Sequence, residues 1–193
     1  LQKVDFDAMD RLYRRRRAAT RARTLFLETF FMQETLSARA WRLQWGMEVK
    51  GPKDNLDEQY HEFADDSSEW DPATDSEILG ALLTNYRRVA DAEYMPSIYA
   101  TIDSLFHGDC YAYADTLYKT SLLMASGKPI YFNRKGYEDD LGVQYGLAVN
   151  ELLSKISADR RLTRDSIAEQ EQRLCAAVLR MEQEQPNYSD ANF

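Results

Sequence analysis

The stretch "TDSEILGALLTNYRRV", residues 74–89, decides the fold class. Ile78, Leu79, Leu82, Leu83, Tyr86 and Val89 recur at the three- and four-residue steps that line one broad face of an α-helix. Thr74 with Glu77 fits a capping box, in which hydroxyl and carboxylate each satisfy a backbone N–H, so the helix is expected to start there, after a turn at "WDPATD".

Helical signals continue in both directions. "MPSIYATIDSLFHG" restarts with Pro96 at a tolerated first-turn position and closes at Gly108. Asp109 can cap the next helix, "CYAYADTLYKTSLLMA", which Ser126-Gly127 should end. "GKPIYFNRKGYED" reads as a loop. Leu141, Tyr145, Ala148, Leu152 and Ile156 keep helical steps. A brief break is expected around Ser157–Asp159, and a last helix then runs to near Gln185. Upstream, a helical stretch spans about Asp5 to Lys50, with Leu25, Phe26, Phe30, Leu36, Ala40 and Leu43 as core residues and stop signals at Gly46 and Gly51-Pro52. The acidic "DNLDEQYHEFADDSSEW" (54–70) puts Leu56, Tyr60 and Phe63 on one side. No alternating run bounded by hairpin turns suggests a strand, and no period suggests a solenoid. The expected fold is all-α: an irregular multi-helix bundle of about seven or eight helices with antiparallel neighbours.

Composition agrees. One domain suits 193 residues, and eight Gly with five Pro are too few for a turn-rich β protein. Twenty-four Lys and Arg against 32 Asp and Glu give a net charge of -8, which argues against nucleic acid or an anionic membrane as the main partner. "RLYRRRRAATRAR" (11–23) runs the other way, but its four consecutive arginines point all around a helix and read as a solvated or internally paired face. No apolar run approaches the roughly 18 residues of a membrane span. Cys110 and Cys175 lack CxxC spacing; two lone thiols is the plainer reading, and a disulfide stays open.

Catalytic tools are missing from the pattern. There is no GxGxxG and no Walker sequence. "HEFAD" (61–65) places Asp65 where a zinc helix needs a second histidine, so no metal is expected. His61 and His107 sit in no Gly-rich nucleophile elbow, and His107-Gly108 reads as a helix C-terminus. No cofactor is expected either. Twelve tyrosines cluster most densely at 94–118, where helical spacing favours a core and its rim over an open binding face.

Two stretches carry a resemblance. In "YRRVADAEYMPSIYATIDSLFHGDCYAYADTLYKTSLL", Tyr94, Pro96, Ser97 and Tyr99 are followed by Phe106, Gly108 and Asp109, then by Tyr113, Asp115, Leu117, Tyr118 and Ser121. The closing "YSDANF" holds Tyr188, Asp190, Ala191, Asn192 and Phe193, with Ser189 where the pattern usually has Pro. This order resembles the helical insertion of the bacterial dipeptidyl-peptidase 7 and 11 family, and "LFLETFFMQETLSARAWRL" is similar to its long early helix.

The resemblance implies a parent serine exopeptidase that removes dipeptides from free peptide N-termini, built on a chymotrypsin-like double β-barrel into which these helices insert. Residues 1–193 would be one helical domain cut from that protein, with 187–193 a junction leading toward the barrel. The triad and the asparagine that grips the substrate amino group would lie outside it, so no catalytic residue is assigned here and the substrate-binding residues stay unknown. The implied partners are the barrel of the same polypeptide, a peptide substrate and, for the parent, a second copy; the implied compartment is the periplasm. The alternative is a stand-alone helical protein–protein interaction module whose tyrosine face binds a partner.

Overall fold

The computed structural model describes residues 5–31, 36, 71–124 and 139–183. Among them the elements are α1 (Phe6–Phe26), continued by a π-helical turn (Leu27–Phe31), then α2 (Pro72–Val89), a 3-10 turn (Ala92–Tyr94), α3 (Ile98–Phe106), α4 (Cys110–Thr120), a second 3-10 turn (Leu122–Met124) and α5 (Leu141–Gln183). The described residues contain five α-helices and no strand, as an all-α fold requires. None of the described helices is long and apolar enough to cross a membrane. The expected acidic helix at 54–70, the stop signals at Gly46 and Gly51-Pro52, the 127–138 loop and the tail with Tyr188, Asp190, Ala191, Asn192 and Phe193 lie outside the described residues.

Aspartate starts four of the five helices. Asp5 accepts the Ala8 amide at 2.8 Å, Asp71 the Ala73 amide at 3.2 Å, and Asp109 the Tyr111 and Ala112 amides at 2.9 and 3.0 Å. Asp140 accepts the Gly142 and Val143 amides at 2.9 and 3.0 Å. Each carboxylate satisfies otherwise orphaned N–H groups and meets the positive end of the helix dipole. Asp140 is the buried case: the Ser121 hydroxyl also donates to it at 2.8 Å, which ties the end of α4 to the start of α5. Asp140→Ala is expected to cost about 2 kcal/mol in a urea melt, from the lost cap and the stranded Ser121 hydroxyl, and Asp140→Asn clearly less because asparagine also caps.

Three boundaries differ from the sequence reading. α2 begins at Pro72, not Thr74: Asp71 is the cap, Pro72 takes a first-turn position whose N–H is not needed, and the Thr74 hydroxyl donates to Asp71 rather than capping. Those bonds also hold the Asp71 carboxyl below its ordinary pKa, chiefly the one from Thr74. At the other end, no break occurs at Ser157–Asp159, and α5 is one helix of 43 residues. Its weak formers are held by one tertiary partner and one bond within the helix. Arg15 pairs with Asp159 at 2.6 Å, and the buried Thr163 hydroxyl donates back to the Asp159 carbonyl at 2.8 Å. α4 also stops early, at Thr120, with Ser121 as its extended C-cap.

The chain divides into two compact units, residues 1–21 with 155–193, and residues 22–154. In the first, α1 and α5 meet through Arg15–Asp159 and through the Tyr13 hydroxyl, which donates to Glu171; Ala19, Ile156, Thr163 and Ile167 are buried. The arginine-rich stretch is an exposed helix face here, with Arg14 paired to Asp10 one turn back. The second unit is built on aromatic packing. Phe30 lies 4.9 Å from the Tyr86 ring, edge-on, and 6.2 Å from Tyr145, while Tyr86 stacks on Tyr99 at 6.4 Å. Leu79, Leu83, Ile102, Leu117 and Leu36 fill the remainder at 0% exposure, whereas Ile78, expected on the same face as Leu79, is exposed.

Candidate functional site

The motif residues at 94–121 form a helix–turn–helix in the second unit. Tyr94 ends the 3-10 turn, is buried, and accepts the Tyr86 hydroxyl at its carbonyl, 2.8 Å away. Pro96 precedes α3 and its carbonyl accepts the Tyr99 amide at 3.2 Å. Ser97 is the N-cap of α3 but makes no side-chain capping bond and is exposed. Tyr99 points inward, donating to the Leu83 carbonyl at 2.7 Å. α3 then stops in two left-handed residues, His107 at φ 54° and Gly108 at φ 86°. The Gly108 amide reaches back to the Ile102 carbonyl, and Asp109 immediately caps α4. Glycine suits the second of these positions because its missing Cβ removes the left-handed penalty.

Across the turn, Phe106 meets the buried Tyr113 edge-on at 5.5 Å, and Leu117 and Tyr118 continue the inward face of α4. Tyr118 donates its hydroxyl to Asp75 at 3.2 Å. Arg87, which the sequence reading passed over, locks the hairpin to α2. It pairs with Asp103 at 2.6 Å, reaches the Gly108 carbonyl at 3.3 Å and lies 4.7 Å from the centre of the Tyr99 ring. Burial raises the phenol pKa of Tyr86, Tyr99 and Tyr113 and pushes the Cys110 thiol up. Cys110 and Cys175 are both free thiols, the first buried and the second exposed. So most of the motif is caps, a turn and core.

Asp115 is different. Its partner is Lys119 one turn on, at 2.7 Å in an exposed pair. It lies on the wall of a groove of about 460 Å³ between α2 and α4. Pro72, Ala73, Ser76 and Glu77 come from α2; Tyr111, Asp115, Tyr118 and Lys119 from α4. The groove exists because Gly80 lets the helices touch: a Cβ there would meet the Tyr111 Cα at 2.9 Å. A lone Gly inside a leucine-rich helix signals such an approach, and it is the one trace of the groove in the sequence.

Among the described residues, His107 is an exposed helix cap and Cys110 is a buried free thiol. The chain matches the family described as Peptidase S46 over residues 2–193. It belongs to that family. Peptidase S46 is the dipeptidyl-peptidase 7 and 11 family, serine peptidases, which is the likeness carried by Tyr94–Ser121. None of the curated proteins matches the chain.

Proposed function

We propose that these helices are the covering domain of a serine dipeptidyl peptidase, which closes over the cleft of a catalytic β-barrel in the same polypeptide and admits peptides by their N-terminal ends. The observation that carries this reading is the combination of a peptidase-family match over 2–193 with motif residues that serve the fold. A cover must hold its shape, and the interlocked caps, two-residue turn and tyrosine core within residues 22–154 support the reading. Closing over a bound peptide excludes water and orients the scissile bond, which is how a domain without catalytic residues raises turnover. The reading places the parent in the periplasm, assigns side-chain preference to the barrel, and needs no cofactor.

The test is a dipeptide-release assay with a chromogenic substrate. Residues 1–193 alone should release nothing above background, while the polypeptide extended through the barrel should be active and serine-reagent sensitive. Release by residues 1–193 alone would overturn the proposal. An extended reading frame without a barrel would favour the interaction-module alternative.

A further inference from the structure

The groove between α2 and α4 carries an inference that stands whether or not these helices cover a peptidase cleft. Its charge leans acidic. Glu77 lines it from α2 and Asp115 from α4, Asp71 and Asp75 lie at the N-cap and first turn of α2, and Lys119, paired with Asp115, is the one cation among the lining residues. Tyr111 presents a half-exposed ring beside these carboxylates, backed by its contact with Gly80. At about 460 Å³ the groove holds one or two side chains, not a folded partner.

A ring flanked by carboxylates is a receptor for a planar cation. The guanidinium stacks on the aromatic face and presents its fork of N–H donors to a carboxylate, which an ammonium does less well. The same chain already uses this solution internally, where Arg87 lies over Tyr99 and pairs with Asp103. It also already seats a cation at the groove, since the Lys119 ammonium rests on Asp115. On α4, Tyr111 and Asp115 are one turn apart, so ring and carboxylate share a face, as an arginine needs.

We infer that this groove binds an arginine side chain carried by a peptide segment, with its guanidinium between Glu77 and Asp115 over the Tyr111 ring. Acidic segments are repelled by the carboxylates, and apolar ones bring no cation to Glu77.

The experiment titrates the full 193-residue chain with a hexapeptide containing two arginines and blocked at both ends, so that no free amino terminus contributes. Binding is followed by NMR shifts and calorimetry. Saturable binding is expected, with shifts in residues 72–77 and 111–119. Replacing both arginines by citrulline, which keeps shape and removes charge, should weaken it about tenfold, as loss of a charge-assisted pair does. Glu77→Gln with Asp115→Asn should do the same without altering the melting temperature, because both side chains are exposed. A change of less than about threefold in either arm overturns the inference. So does an absence of binding at millimolar peptide, or a shift pattern centred elsewhere. The citrulline arm leaves the protein untouched and so is independent of how the variant folds.

Discussion

Gly80→Val should lower the melting temperature of this chain by roughly 6–12 °C, and Gly80→Ala should lower it too, although alanine is the better helix former. In an exposed helix the Gly-to-Ala change gains about 1 kcal/mol. Here the new Cβ would sit 2.7 Å from Tyr111 Cδ1, 2.9 Å from its Cγ and 2.9 Å from its Cα. A ring can swing aside, but a Cα cannot without moving α4. Leu79 and Leu83 on α2 and Tyr113 and Leu117 on α4 are all buried, so separating the two helices costs packing. Overpacking of this kind costs about 1–3 kcal/mol, and sometimes more for a β-branched side chain, which outweighs the propensity gain. At about 2–4 °C per kcal/mol for a chain of this size, alanine loses a few degrees and valine several times that. Thermal melts of the two variants decide it, and a stabilised Gly80→Ala would mean that the helices do not approach so closely. Gly142 is a milder case: a Cβ there meets the Ser121 hydroxyl, which can rotate away at the cost of its bonds to Asp140 and the Leu123 amide.

The helix faces and most helix ends were legible because they are local. Leu79, Leu83 and Tyr86 fall on one face by spacing alone, and Phe106, Gly108 and Asp109 spell a stop, a left-handed turn and a new cap within four residues. Where the reading failed, the deciding partner lay elsewhere in the chain or was masked by composition. Ser157–Asp159 looks like a break only until Arg15, 144 positions away, is set against Asp159. Asp71-Pro72 looks like a turn because Pro is a breaker everywhere except in the first turn of a helix, the position it occupies. The groove was the least legible feature. Glu77, Tyr111 and Asp115 are unremarkable on their own helices, and only the register allowed by Gly80 brings them together. The tyrosines were legible as a core with a rim: Tyr94, Tyr99 and Tyr113 are buried, while Tyr111 stays half-exposed.

That tyrosine core makes the chain vulnerable to alkali, and by a predictable amount. Burial raises the pKa of Tyr86, Tyr99 and Tyr113 in the folded state above their ordinary value of 10.0, with Asp91 adding to the effect at Tyr86 and Cys110 at Tyr99. Below pH 10 these phenols are protonated whether the chain is folded or not, so their contribution to stability is fully present. Above it the unfolded chain sheds the protons and the folded chain keeps them, so unfolding is favoured as pH rises. Each such phenol removes up to about 1.4 kcal/mol per pH unit, and three together remove about 4. Against a total stability of about 5–15 kcal/mol, cooperative unfolding is expected about one to four units above pH 10. Phenolate absorbance from the buried Tyr86, Tyr99 and Tyr113 should rise together with the loss of helical signal. Tyr99→Phe should cost about 1 kcal/mol at neutral pH, through the lost bond to the Leu83 carbonyl, yet make the alkaline decline shallower by about a third. If all twelve tyrosines titrated in one step while the helices stayed intact, the phenols would not be buried as described, and the rigid core that the covering role requires would be gone with them.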